Sequence, residues 1–102
     1  MAQTFKNYQS GSVGTSPTTV YTVAGGTTSI VIGLNLANRT ASQITASAQL
    51  GTTYIVKDAP IPSGGALSVL DGKIIAEAAD TIIVTSNTAS SCDVILSVLE
   101  QT

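Results

Sequence analysis

Hydrophobic and polar residues alternate along most of this chain, and the alternation has a period of two. Over 27–38, Ile30, Ile32, Leu34 and Leu36 fall on one side, and Ser29, Val31, Gly33 and Asn35 on the other. Over 44–50, Ile44, Ala46, Ala48 and Leu50 alternate with Thr45, Ser47 and Gln49. In 92–100, Val94, Leu96 and Val98 share a face. A period of two predicts strands with one face buried. Val, Ile, Thr and Tyr fill the remaining segments at 18–23, 52–57, 66–70, 73–77 and 81–86, and these side chains suit a pleated surface. The connections carry turn chemistry: Ala24-Gly25-Gly26, the polar run 38–42, Asp71-Gly72 and 87–91. Segments 30–36 and 44–50 are predicted to pair as a long antiparallel hairpin, and 66–70 with 73–77 as a tight one. Pro60 and Pro62 lack backbone donors, so 58–65 is expected to be a crossing loop with Ile61 turned inward.

About eight strands at intervals of roughly ten residues, with no sustained helical period, predict an all-β fold. The expected architecture is an antiparallel β-sandwich, jelly-roll or Ig-like, spanning 17–102 as a single domain. Residues 1–16 are expected to form an N-terminal extended arm, because Gly11, Ser12 and Gly14 separate Phe5 and Tyr8 from the body. The chain has 102 residues, enough for one domain.

Composition narrows the chemistry. Charged residues are 10% of the chain against roughly 25% in average proteins, while 15 Thr and 12 Ser supply the polar positions. Four basic residues cannot neutralise a row of phosphates, so no nucleic-acid partner is expected. No run approaches the ~18 apolar residues of a membrane span, and the N-terminus lacks the apolar stretch of a secretory signal. Synthesis in a cytoplasm follows as an expectation, and no membrane partner is implied.

No catalytic set is visible. Histidine is absent, which removes the usual proton shuttle and any base to activate Cys92. A lone Cys92 is expected to be a small buried or interfacial thiol. Asp58, Asp71, Asp80 and Asp93 are too dispersed for a metal loop and fit turns instead, so neither metal nor cofactor is expected. Asn38-Arg39-Thr40 matches a glycosylation sequon, read as a chance match without a secretory signal. The candidate interface residues are four aromatics: Phe5 and Tyr8 in the arm, whose ordering has to be offset by an anchor, and Tyr21 and Tyr54 in the body. Tyr21 and Tyr54 also admit a second reading, a carbohydrate-binding or receptor-binding sandwich.

Outward positions are Ser, Thr, Gln, Asn and Ala rather than Lys and Glu. A free monomer ordinarily gains solubility from surface charge, whereas interface cores are depleted in it. The surface is therefore expected to be covered by protein, a second copy of the chain among the candidates.

Several segments together resemble a known group: Thr18-Thr-Val-Tyr-Thr-Val-Ala-Gly-Gly-Thr27, Val31-Ile-Gly-Leu-Asn-Leu-Ala-Asn38, Tyr54-Ile-Val-Lys-Asp-Ala-Pro-Ile-Pro62, Leu67-Ser-Val-Leu-Asp-Gly-Lys73 and Val94-Ile-Leu-Ser-Val-Leu-Glu100. They resemble small all-β virion structural proteins of tailed bacteriophages, of the marine and cyanobacterial phage type. The opening Met-Ala-Gln-Thr-Phe-Lys-Asn-Tyr resembles their start. The resemblance covers nearly the whole chain and rests on structural positions. It implies a non-enzymatic particle component in a virion, made in the bacterial host cytoplasm. Capsid decoration (cement) stands ahead of a neck, collar or tail accessory role. The implied partners are further copies of itself and other virion proteins, such as the major capsid or neck and tail proteins.

Overall fold

Strand-forming residues with one apolar face must find a second apolar face, and here two antiparallel sheets supply it to each other. A computed structural model describes residues 2–70 and 72–102. Among these are nine strands and no helix: β1 (Gln3–Val13), β2 (Thr18–Thr22), β3 (Thr28–Asn38), β4 (Ile44–Leu50), β5 (Thr53–Ile61), β6 (Ala66–Ser68), β7 (Ile74–Ala76), β8 (Thr81–Ser86) and β9 (Cys92–Gln101). The first sheet has the order β1-β9-β3-β6, with β7 also on β3; the second has the order β2-β8-β4-β5. Each of the first four strands lies beside one of the last five, as in a chain folded back on itself and wrapped. This strand order makes the sandwich a jelly roll rather than an Ig-like fold.

The core lies between the sheets. Val31, Leu34 and Leu36 of β3 and Val94, Leu96 and Val98 of β9 meet Ile44, Ala46 and Ala48 of β4 and Ile82 and Val84 of β8, all essentially without solvent contact. Ile61 is also fully buried, as its sequence context predicts.

Four local expectations are corrected. In β3, the register against β9 shifts between Val31 and Gly33, so Ile32 is an extra residue in a β-bulge. The bulge resets the alternation: Ser29 and Val31 are buried on one side of it, Leu34 and Leu36 on the other, while Ile32 is 41% exposed. Second, β3 and β4 do not form a hairpin. They lie in different sheets, so their apolar faces meet across the core instead of side by side. Third, β6 and β7 do not pair with each other; both pair with β3, at Asn35–Ala37 and Ser29–Val31. The Asp71-Gly72 turn expected between them includes Asp71, which lies outside the described residues. Fourth, the proline segment extends β5 rather than forming only a loop. Pro60 stands opposite Thr45, whose N–H donates to Asn87 Oδ1 and whose carbonyl accepts from Asn87 N. Thr45 thus spends its backbone groups on the β8 side, and Pro60, on an edge strand, is not asked for a donor.

Residues of the expected arm are extended, and Gln3–Val13 runs along β9 of its own chain. It is the outermost strand of the first sheet. A bulge between Ser10 and Val13 gives Ser12 a positive φ of 58°, and its N–H donates to Asp93 Oδ1 at 2.9 Å. The Gly25-Gly26 connection behaves as its composition predicts, with Gly26 at φ 75°.

The crossing from β3 to β4 is held by one buried side chain. Asn38 Nδ2 donates to the carbonyls of Ser42 (2.8 Å), Ile61 (3.0 Å) and Pro62 (3.2 Å). Its Oδ1 accepts from Thr40 N and Thr40 Oγ1, both at 2.8 Å. Asn38 therefore ties the end of β3 to the end of β5 in the opposite sheet. The same bonds occupy the amide nitrogen of the sequon, so it is a structural group rather than a glycan acceptor in the folded chain. Asn38→Asp removes every donor and buries a carboxylate among carbonyls. We expect a loss of about 3 kcal/mol or more in urea unfolding; a loss of less than about 0.5 kcal/mol would show that the tie is dispensable.

Candidate interaction surface

The four aromatics singled out in the sequence divide into two pairs. Tyr8 and Tyr21 come together where β1 of one sheet passes β2 of the other, with ring centroids 4.4 Å apart and planes 28° apart. Both hydroxyls donate to Glu100 Oε2 at 2.7 Å. Tyr21's single proton goes to the carboxylate, so the Ser29 hydroxyl, 3.1 Å away, serves as donor to the Tyr21 oxygen. Lys6 Nζ lies 3.8 Å from Glu100 Oε1. This cluster joins β1, β2, β3 and β9 and closes one side of the sandwich. Tyr8 is thus anchored on its own domain, and Tyr21 is buried.

The cluster's electrostatics follow from a carboxylate fed by two phenols. The hydrogen bonds from Tyr21 and Tyr8 hold the Glu100 carboxyl below its ordinary range, against the opposing effect of burial. The bond to Glu100, with burial, raises Tyr8 to about 12. Burial first, and then the bond to Glu100, raises Tyr21.

Phe5 and Tyr54 remain in solvent, 75% and 48% exposed. They are on different sheets. Tyr54 is on edge strand β5, with Lys57 Nζ 5.3 Å from its ring centroid. A sugar platform combining Tyr21 and Tyr54 is not formed, since Tyr21 faces the core.

Phe5 belongs to a feature that the period-two reading does not reveal. It stands opposite Leu99 in β9, Leu99 opposite Ile30 in β3, and Ile30 opposite Ile75 in β7. These four side chains form one row across the outer face of the first sheet. Ile75 is 53% exposed, and Leu99 and Ile30 are half-buried. Ile32 and Ile95 enlarge the row, and Phe5 and Ile32 border a shallow depression with Lys6, Asn7 and Ser97. Along β1, β3, β6 and β9 the neighbouring outward positions Asn7, Gln9, Asn35, Ser68 and Ser97 are uncharged, while Lys73 and Glu77 flank β7. The second sheet differs. On β2, β4 and β8 its outward positions are Thr19, Thr22, Thr45, Ser47, Gln49, Thr81, Ile83 and Thr85, a hydroxyl-rich surface of the kind read from composition, and the edge strand β5 adds exposed Tyr54, Lys57 and Asp58. The signal for the apolar row lies in Ile95 and Leu99, which alternate out of phase with the core residues of β9.

Charge is sparse within the sheets, the central strand β9 carrying Asp93 and Glu100. β2, β3, β4, β6, β7 and β8 contain no charged residue. Arg39 and Asp93 pair at 3.4 Å at one end of the sandwich, and Lys57 pairs with Asp58 at 3.3 Å on an edge; such exposed pairs contribute little. Among the described residues, no three His, Cys, Asp or Glu side chains converge, and no helix is long and apolar enough to cross a membrane. Asp80 Oδ2 accepts from Glu77 N at 2.9 Å, a turn role. Cys92 is fully buried in the core, and burial pushes its thiol pKa up. The chain matches no protein-family model and no curated protein sequence.

Two predictions follow from the buried groups. Glu100's depressed pKa adds stability above its unfolded value of about 4.3, lost as pH falls through the folded value. Tyr8's raised pKa adds stability below about 10, lost as pH rises through the folded value. The Cys92 thiol, raised by burial, acts with the same sign as Tyr8 from its unfolded value of about 8.5, so stability should be level between about pH 5 and 8 and fall on both sides. Tyr21→Phe should cost ~1–3 kcal/mol at pH 7 and weaken the acid limb, as measured by urea unfolding across pH; an acid limb identical to the wild type would count against the clamp. In the second, the Cys92 thiol should react with a thiol reagent only at the rate of unfolding. Rapid labelling of the native chain would contradict its burial.

Proposed function

We propose that this chain is a non-enzymatic structural subunit of a bacteriophage particle, a capsid decoration protein ahead of a neck, collar or tail accessory one. The observation that carries the reading is the distribution of charge. Both sheets present broad outward surfaces: among the described residues, the central strands β3, β4 and β8 bear no charge, the central strand β9 carries only Asp93 and Glu100 near its two ends, and the other ionised groups sit on edge strands and turns. In water such surfaces gain little from exposure, and against another protein they leave no unpaired charge to desolvate. A jelly roll suits the role because it presents two outward sheet faces, one on each side of a shared core. Jelly rolls recur in viral capsid domains, but they also occur in lectins, so the fold lends analogy only. The resemblance of the strand segments to small phage virion proteins supports the same reading.

As a decoration protein, the chain would bridge neighbouring shell subunits and add contact area across their junctions. Individually weak contacts become firm when many copies engage a repeating lattice. No covalent step is required of it. Mass spectrometry of purified particles tests the proposal. The chain should be present in stoichiometric amount: a copy number in the hundreds places it on the shell, and a dozen or fewer at the neck or tail. Its absence from intact particles overturns the reading.

A further inference from the structure

We propose that the outer face of the first sheet binds the same face of a second copy, giving a two-fold dimer with the Phe5 rows stacked. The proposal names the surface for the self-association expected above, and it stands on geometry whether or not the particle reading holds.

Three observations favour a second copy as the occupant. The first is area. Four strands side by side at ~4.8 Å, over the ten residues of β9 at ~3.4 Å each, give about 500–600 Å² per copy and roughly 1,100 Å² in all. That clears the roughly 1,000 Å² of a biological contact and falls in the range of weak, reversible association. The second is charge. The four side chains of the row carry none; the charges nearest to it are Lys6, which borders the depression beside Phe5, and Lys73 and Glu77, which flank β7 and are opposite in sign, so the face carries no net field of one sign with which to select a charged partner. Asp93 is the one outward acid on β9, and Arg39 already pairs with it at the far end.

The third is register. Phe5, Leu99, Ile30 and Ile75 are direct cross-strand partners, so they lie at one level along the strands. A two-fold axis parallel to the strands, between two facing sheets, keeps that level and reverses the strand order. Phe5 of one copy then lies against Ile75 of the other, and Leu99 against Ile30, with both relations repeated by symmetry. Every exposed member of the row gains an apolar partner. Such self-complementarity is what an isologous contact requires. Facing sheets pack about 10 Å apart, the distance at which such side chains interdigitate. The hydroxyl-rich outer face of the second sheet stays free in the dimer.

Sedimentation equilibrium of the full chain tests this. The wild type should show a concentration-dependent dimer. Ile75→Lys and Ile95→Lys change side chains that are 53% and 47% exposed in the single chain. Each should weaken the dimer at least about tenfold and leave the circular dichroism of the monomer unchanged. Thr19→Lys, on the outer face of the second sheet, should leave the dimer intact. Register is read by cross-linking. A mixture of Phe5→Cys and Ile75→Cys chains should join through a short bis-maleimide, whereas Phe5→Cys alone should not, its two copies standing about 17 Å apart; Cys92 is buried and silent. A wild type that stays monomeric, a dimer that survives both lysines, a dimer lost with Thr19→Lys, or efficient Phe5→Cys self-coupling each overturns the proposal. A monomeric result leaves the particle reading to its own test on intact virions.

Discussion

One extra residue in β3 organises both the inside and the outside of this sandwich. A strand with a strict period of two sends all its even positions one way, and Ile30, Ile32, Leu34 and Leu36 would then all enter the core. The bulge at Ile32 breaks that rule. On its Leu34 side the even positions point inward; on its Val31 side the odd ones do. Val31 therefore pairs inward with Val98, and Leu34 with Leu96, while Ile30 is sent outward beside Leu99. The core loses two isoleucines and gains a valine and a buried serine, Ser29, which reaches Tyr21. The outer face gains the centre of its apolar row. Gly33, next to the bulge, brings no side chain to either face.

The same shift couples the two ends of the chain. Ser29 faces inward only because of the bulge, and there it completes the cluster of Tyr8, Tyr21 and Glu100. That cluster fastens the first strand and the last to the second sheet. At the opposite end of β3, Asn38 performs the corresponding task by joining β3 to the end of β5. The Asn38 grouping is buried and the tyrosine–Glu100 grouping partly so; both are partnered, and they stand at opposite ends of one strand. Between them the contacts are apolar. Polar bonds thus fix which sheet each chain segment joins, and hydrophobic burial supplies the bulk of the stabilisation.

The outside is divided as sharply as the inside. Threonine, serine and glutamine predominate on β2, β4 and β8 of the second sheet, with Tyr54, Lys57 and Asp58 on its edge strand, while Phe5, Leu99, Ile30, Ile75, Ile32 and Ile95 gather on the first. A composition with few charges and many hydroxyls describes the average of these two surfaces and neither one alone. The sharing of roles between a wettable face and an apolar one is what a repeating assembly can use, because each face can meet a different neighbour.

Residue types and spacing alone were enough to establish an all-β chain, the approximate places of eight strands, the inward face of β4 and β9, the burial of Ile61 and the glycine turn at Gly26. Those features depend on local propensity and on a period that survives within each strand. The sequence did not disclose β1 as a paired strand, because Phe5 and Tyr8 are three residues apart and fall on opposite faces, leaving no alternation to read. Nor did it separate β3 from β4, since two strands with matching apolar faces satisfy that pattern equally well side by side or across a core. Tertiary structure alone decided the sheet assignment, the bulge and the row of outward side chains, because each depends on which distant strand lies alongside.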